Sequence, residues 1–239
     1  GIPGVTIRLG RNFSDISFDE KSILVGAALL DSQVANKAAQ KGLDLAFLRT
    51  IPGVIGGAVV MNAGCYGKYI ADVLIRAKVI LRDGSYVELN KEDFRFGYRS
   101  SLVPEGAVVT EVELKGDIKP FDEILKQMDE NISHRMQTQP VKERSCGSTF
   151  RNPSGASSTL SMNSDHSMKA WSLIEQAGLR GFRFGGAELS KKHPNFMINT
   201  GTATANDLEC LGKLAIEKVE LETGIKFIGE LNRIGIKTK

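Results

Sequence analysis

The run Leu48-Arg49-Thr50-Ile51-Pro52-Gly53-Val54-Ile55-Gly56-Gly57-Ala58-Val59-Val60-Met61-Asn62-Ala63-Gly64-Cys65-Tyr66-Gly67 constrains this chain more than any other stretch. Five glycines stand in it beside a proline, two alanines and an asparagine. Residues this small let a backbone come within hydrogen-bond range of a ligand, and glycine also tolerates positive φ. A turn of that kind aims several N–H groups at one anion and forms a nest for phosphate. Gly53-x-x-Gly56-Gly57 does not match G-x-G-x-x-G, and no Lys-Ser or Lys-Thr follows as in a P-loop. A dinucleotide held here is held in neither of those ways. A glycine-rich hairpin or connector without a ligand is the plain alternative. Against it, the small residues are contiguous, and Ile51, Val54 and Ile55 interleave among them. That mixture suits a backbone packed on a large cofactor that is partly apolar and partly anionic.

At 239 residues the chain can bury a full core and hold one large or two modest domains. Its formal charge of +3 is too small to argue for nucleic acid, though a slight positive excess suits a diphosphate substrate. Cys65, Cys146 and Cys210 are odd in number, far apart and without a C-x-x-C pair. Neither a disulfide framework nor a zinc site is indicated, and a cytoplasmic location in a reducing cytosol is expected. No apolar run approaches membrane length and no signal peptide is visible, so no membrane association is expected.

Patterning supplies the elements. Val5–Leu9 and Ser22–Ala27 alternate or run apolar and predict strands. Asp31 to Gln40 predicts a short helix stopped by Gly42. Val73–Arg82 and Ser85–Leu89 flank Asp83-Gly84, the strongest two-residue hairpin signal present. Ala107–Leu114 is another strand. Pro120 opens a helix whose Phe121, Ile124, Leu125, Met128 and Ile132 repeat at threes and fours. The polar stretch Ser133–Arg144 then separates two lobes. In the second lobe Met168–Ala177 is a helix closed by Gly178, and Asn195–Asn199 is a short strand. Thr204-x-x-Asp207 is a capping box for a long helix carrying Leu208, Leu211, Leu214 and Val219 and ending at Gly224. Ile225–Ile236 finishes as a strand. Strands and helices mixed without βαβ alternation imply the α+β class.

Four further segments carry chemistry. Phe96-Gly97-Tyr98-Arg99-Ser100-Ser101 follows a predicted helical turn at Lys91–Phe94. An arginine on such a turn offers a fixed charge and a fork of donors suited to a carboxylate or enolate; a surface arginine stacked on Tyr98 is the plain alternative. Arg144-Ser145-Cys146-Gly147-Ser148-Thr149-Phe150-Arg151-Asn152-Pro153 places a serine after a glycine. It lacks the G-x-S-x-G elbow and a His-Asp pair, which argues against a serine hydrolase and leaves a loop or N-cap serine as the alternative. Cys146 beside it is read as a packing residue. Ser190-Lys191-Lys192-His193-Pro194-Asn195-Phe196 is a cluster of donors before a strand, with no second histidine at metal spacing, so no metal site is expected. Glu230, within Phe227–Gly235, sits on the predicted final strand, where a glutamate ordinarily faces solvent.

Together these segments resemble the UDP-N-acetylenolpyruvoylglucosamine reductase family, flavoenzymes that complete UDP-N-acetylmuramate in bacterial wall synthesis. The family string IPG-x-x-GGA-x-x-x-NAG-x-YG is complete in Ile51–Gly67. Tyr98, Arg99 and Ser101 match its Y-R-x-S motif, and Gly147–Pro153 matches GS-x-F-x-NP. Ser190–Asn199 matches S-x-K-H-x-x-F-x-x-N, and Glu230 with Gly235 matches a terminal E-x-x-x-x-G. Leu173–Gly181 also follows the family, its apolar members being read as core.

The resemblance implies an FAD-binding, vanillyl-alcohol-oxidase/PCMH-like mixed sheet–helix domain over residues 1–139. A smaller α+β substrate-binding domain would cover 140–224, and a terminal strand over 225–239 would return to the active site. A further FAD-binding lobe with its own phosphate loop is expected upstream of Gly1. Ile51, Pro52, Gly53, Gly56, Gly57, Ala58, Asn62, Ala63 and Gly64 would line FAD. Tyr98, Asn152 and His193, with Lys192 less firmly, would bind the UDP-sugar. In the implied chemistry NADPH reduces FAD, and a hydride then passes to the enolpyruvyl β-carbon of UDP-N-acetylglucosamine enolpyruvate. Arg99 and Glu230 would stabilise the enol, and Ser148 would donate the last proton. Ser100–Lys119 holds no tyrosine, which resembles the subtype without the closing tyrosine loop and leaves a group from Ser133–Arg144 to cover the diphosphate. A monomer is expected. Two rivals stay open: a non-catalytic nucleotide-sugar-binding module, and another oxidoreductase of the same flavin fold, since fold alone does not fix substrate.

Overall fold

The structure, a computed structural model, describes residues 2–157 and 165–235. They divide into two compact units, one built on Thr6–Ser133, the other on His134–Ala156 and the described residues from 165 onward.

The first unit runs β1 (Ile16–Phe18), β2 (Ser22–Gly26), α1 (Asp31–Ala39), β3 (Leu43–Asp44), α2 (Ile55–Val60), β4 (Gly64–Cys65), β5 (Lys68–Tyr69), α3 (Ile70–Val73), β6 (Leu74–Ile80), β7 (Tyr86–Asn90), β8 (Val108–Lys115), β9 (Asp117–Ile118) and the start of α4 (Phe121–Thr138). Its main sheet has the antiparallel order β1-β2-β8-β6-β7. Period-two patterning gives that sheet one buried face, where Ile23, Val25, Val112, Leu114, Ala77 and Val79 meet Val34 and Ala38 of α1 and Ile55 and Val59 of α2. The other face carries a charged ladder. Arg76 pairs with Glu88 at 2.5 Å and with Glu113 at 2.6 Å, and Ser22 Oγ donates to Glu113 at 3.0 Å.

The second unit takes up the end of α4, then α5 (Ala170–Gln176), β10 (Arg183–Phe184), β11 (Ala187–Leu189), β12 (Met197–Asn199) and α6 (Ala205–Thr223). β10-β11-β12 is a small antiparallel sheet. The Thr204/Asp207 capping box forms as its spacing predicts, with Asp207 N–H donating to Thr204 Oγ1 at 3.1 Å and Thr204 N–H to Asp207 Oδ2 at 2.9 Å. Gly224, at φ 72°, ends the helix in the left-handed conformation. α6 buries Leu211, Ala215 and Val219, while Leu208 and Leu214 are only partly covered. Antiparallel sheets with separate helices make both units α+β.

Four expectations are corrected. Val5–Leu9 forms no strand; Val5 and Ile7 are 90% and 82% exposed, because their alternation finds no partner edge among the described residues. The β6–β7 hairpin closes through a three-residue loop rather than a two-residue one. Leu81 N–H reaches Ser85 O, and Gly84, at φ 87°, donates to Leu81 O. The helix at Pro120 continues through Ser133 to Thr138, and the division between units falls inside it. Ile225–Gly235 is not a strand: only Gly229 bridges, to Phe150, and Ile236 lies outside the described residues.

Candidate active site

The glycine stretch is a short helix as much as a turn. Val54 is extended (φ −124°, ψ 153°) and caps α2, and the backbone is sewn to the end of β2 and the start of α1. Asp31 N–H donates to Gly53 O, Ile55 N–H to Leu29 O and Gly56 N–H to Ala27 O, at 3.1, 3.0 and 2.9 Å. These bonds explain why loop-like composition folds as helix: the partner strand end supplies acceptors for the orphan N–H groups of the first turn. Gly56 is needed because a Cβ there would stand 2.9 Å from Ala27 Cβ, and Gly64 because one would strike the Tyr69 ring. Gly53 and Gly57 differ. Both are exposed, a Cβ on Gly57 would meet nothing within 4 Å, and among the described residues no acceptor takes either N–H. Positive φ, expected of the glycines, occurs instead at Asn62 (42°), Tyr66 (55°) and only one glycine of the stretch, Gly67 (81°).

Beneath this backbone lies Asp31, 1% exposed, neither of whose carboxyl oxygens has a partner among the described residues. Its Oδ2 is 3.2 Å from where a Gly53 Cβ would stand. Burial pushes its pKa up to about 7, since an unpaired charge is costly away from water. Open amide donors at Gly53 and Gly57, with apolar Ile51 and Ala63 beside them, fit a cofactor that is both apolar and anionic.

The Arg99 turn is fixed to the same stretch. Gly97 and Ser100 exchange backbone hydrogen bonds at 3.0 and 3.3 Å, so Tyr98 and Arg99 occupy the corner. Arg99 is left-handed at φ 55°, a conformation that costs a non-glycine residue about 1 kcal/mol. Its guanidinium lies 5.4 Å from the Tyr98 ring centroid, the stacking that a plain surface arginine would also show. Asn62 bonds to the turn at one end of its side chain and to α3 at the other. Its Nδ2 donates to Gly97 O at 3.0 Å, while its Oδ1 accepts Ala71 N–H at 3.0 Å. Ser101 Oγ donates to Val60 O at the end of α2, at 2.7 Å.

In the second unit, residues 148–151 thread between two other segments. Ser148 bridges to Phe196, Thr149 N–H reaches Asn195 O at 2.7 Å, and Met197 N–H reaches Thr149 Oγ1 at 3.2 Å. On the other side Arg151 N–H donates to Ile228 O at 2.9 Å and Glu230 N–H to Thr149 O at 2.8 Å. Ser148 and Glu230, 82 residues apart in sequence, therefore share one seam. Asn195 locks it: its amide accepts Phe150 N–H at 3.0 Å and donates to Phe150 O at 2.9 Å. Sequence reasoning assigned Asn195 no role, because its partner lies 45 residues away in no recognisable pattern.

Asn152 and His193 are brought to the same unit with other duties. Asn152 Nδ2 donates to Ala156 O at 2.8 Å and its Oδ1 accepts Ala170 N–H at 3.1 Å, capping α5. His193 packs on Phe196 at 4.8 Å and Trp171 at 6.5 Å between ring centroids. Burial depresses its pKa to about 4, so the ring is neutral at neutral pH. Lys192 Nζ donates to Met136 O at 2.5 Å. Among the described residues no group of three or more His, Cys, Asp or Glu could hold a metal ion, and no helix is long and apolar enough to cross a membrane.

Residues 1–90 match an FAD-binding domain family, and residues 139–234 match the UDP-N-acetylenolpyruvoylglucosamine reductase C-terminal domain. With the α+β fold and the glycine stretch, these matches define an FAD-binding oxidoreductase. A UDP-N-acetylenolpyruvoylglucosamine reductase of Paracoccus denitrificans is 52% identical over 98% of this chain and 77% of that protein. One from Cereibacter sphaeroides is 50% identical over 98% of this chain and 76% of its own length. The crystal structure of the Thermus caldophilus UDP-N-acetylenolpyruvylglucosamine reductase superposes with a TM-score of 0.78 at 37% identity, covering 95% of this chain and 77% of that one. The chain belongs to the UDP-N-acetylenolpyruvoylglucosamine reductase family.

Proposed function

We propose that this chain reduces UDP-N-acetylglucosamine enolpyruvate to UDP-N-acetylmuramate in peptidoglycan precursor synthesis, with NADPH as hydride donor. One observation carries the assignment: the Arg99 turn is bonded to the glycine stretch by Asn62 and Ser101, which joins an anion-holding arginine to the cofactor segment. FAD, when bound, supplies hydride transfer; Ile51, Pro52, Gly53, Gly56, Gly57, Ala58, Ala63 and Gly64 would line it, with the donors of Gly53 and Gly57 available to its anionic part.

The chain's own residues then manage charge and protons. Addition of hydride to the enolpyruvyl β-carbon leaves negative charge on the α-carbon and carboxylate. The fixed guanidinium of Arg99 offsets that charge, while Glu230 lends a proton to the enolate oxygen and takes it back when the α-carbon is protonated, which lowers the barrier most if both are pre-positioned. Ser148 Oγ–H gives its proton to the α-carbon and regains one from water. Ser148 makes no hydrogen bond through its hydroxyl among the described residues, which leaves that proton available. Tyr98, Asn152 and His193 bind the UDP-sugar. The neutral His193 ring does so as a hydrogen-bonding and stacking group rather than as a cation, and Asn152 mainly by shaping its segment. Three cysteines outside any disulfide suit a reducing cytosol, and the chain acts as a monomer.

Reconstitution with FAD tests this. The expected result is a yellow protein whose NADPH oxidation depends on added enolpyruvyl sugar. A colourless protein that still binds the UDP-sugar would favour the non-catalytic module instead.

A further inference from the structure

Asn62 was expected to line FAD, yet its side chain faces the protein. It is 6% exposed, and its amide is engaged at both ends, by Gly97 O and by Ala71 N–H. That pair of partners fixes which end is nitrogen and requires a carboxamide: an ionised aspartate cannot donate to Gly97 O. The backbone there is left-handed at φ 42°, which asparagine tolerates better than most residues. Gly97 O, in turn, also accepts Ser100 N–H, so the bond from Asn62 lands on the closing pair of the Arg99 turn itself. Ser101 adds a second tie from the same turn to Val60 O.

We infer that Asn62 is a positioning residue for the reaction: through Gly97 it holds the Arg99 turn against the end of α2, so that the guanidinium stays where the enol forms. The inference rests on the assignment of Arg99 to the enol. Arg99 is held in a backbone conformation that an untethered arginine would leave, and small displacements of a catalytic group cost large factors in rate. The cofactor stretch and the catalytic turn thereby become one rigid piece, although 35 residues separate Asn62 from Gly97.

The test uses Asn62→Gly, which keeps the left-handed backbone and removes both side-chain bonds. In the full-length protein loaded with FAD, the rate of flavin reoxidation by enolpyruvyl sugar should fall roughly 10- to 100-fold. FAD affinity, read by quenching of flavin fluorescence, should fall at least ~10-fold less than that rate does. In an Arg99→Ala background the same substitution should change nothing further. Ser101→Ala, which cuts the other tie, should lower the same rate by a smaller factor and serves if Asn62→Gly does not fold. Equal losses in FAD affinity and in sugar turnover would make Asn62 a cofactor-binding residue and overturn the inference. So would an undiminished effect of Asn62→Gly in the Arg99→Ala background, the mark of general destabilisation. If Arg99→Ala alone leaves sugar turnover intact, the assignment of Arg99 fails, and this inference with it.

Discussion

In the unit built on Thr6–Ser133, four residues other than glycine are left-handed: Asn62, Tyr66, Arg95 and Arg99. In the unit that starts at His134, every left-handed residue described is a glycine, Gly147, Gly178 and Gly224 among them. The first unit therefore keeps Arg99 in unfavourable backbone, on a turn tied down by the side chains of Asn62 and Ser101. The second keeps Ser148 and Glu230 in relaxed backbone, held by main-chain pairing that Asn195 reinforces. Two buried groups without an opposite charge divide the same way. Asp31 in the first unit is pushed towards its neutral acid, and His193 in the second towards its neutral base. Both prefer neutrality because neither is paired with an opposite charge, but they respond to pH in opposite directions.

The largest expected effect belongs to Asp31. Its folded pKa of about 7 lies above its ordinary 3.8, so the folded protein binds the proton more tightly. Its contribution is fully present below about pH 4 and is lost as pH rises through 7, by roughly 4 kcal/mol at 1.36 kcal/mol per unit. Denaturant unfolding between pH 4 and 8 should show this slope in the wild type and lose it in Asp31→Asn; a slope that persists in the variant would remove Asp31 from the comparison. Next comes Asn195→Ala, which leaves Phe150 N–H and C=O buried without partners. It should cost about 3 kcal/mol and open the amides of the second unit to hydrogen exchange while those of the first stay protected.

His193 follows with the opposite sign. Its pKa falls from 6.5 to about 4 on folding, so its contribution is present above pH 6.5 and is lost as pH falls towards 4. Allowing for its partial exposure, the span is about 2 kcal/mol, and His193→Phe should abolish it in acid unfolding curves. Across pH 4–7 the two units should thus drift apart in stability, the first weakening and the second strengthening. The smallest effects are paired. Arg95→Gly should stabilise the first unit by about 1 kcal/mol by relieving a left-handed arginine, and Gly224→Ala should destabilise the second by about as much. Equal signs for the two substitutions would erase the contrast in backbone strain.

Where periodicity had a local cause, the sequence was legible. β2, α1, β6–β7, β8 and α6 follow from alternation, threes and fours, and the Thr204/Asp207 box. α2 was not, because Ile55-Gly56-Gly57-Ala58 has the composition of a loop; it is helical because Leu29 O and Ala27 O accept its first N–H groups. Ile225–Gly235 looked like a strand, but its apolar run contacts Phe150 through one bridge and a stack of Phe227 on that ring at 4.9 Å. The candidate site residues were legible only through motif resemblance. The two asparagines that hold them, Asn62 and Asn195, bond to backbone far along the chain, a relation that no spacing rule records.

If Ser148 is the proton donor to the sugar, it acts only on that half of the reaction. Stopped-flow spectroscopy of FAD-loaded, full-length Ser148→Ala measures it directly by following flavin absorbance through each half-reaction. The expected record is flavin bleached by NADPH at the wild-type rate and then left reduced when enolpyruvyl sugar is added. Equal slowing of both phases, or reoxidation by the sugar at the wild-type rate, would contradict it.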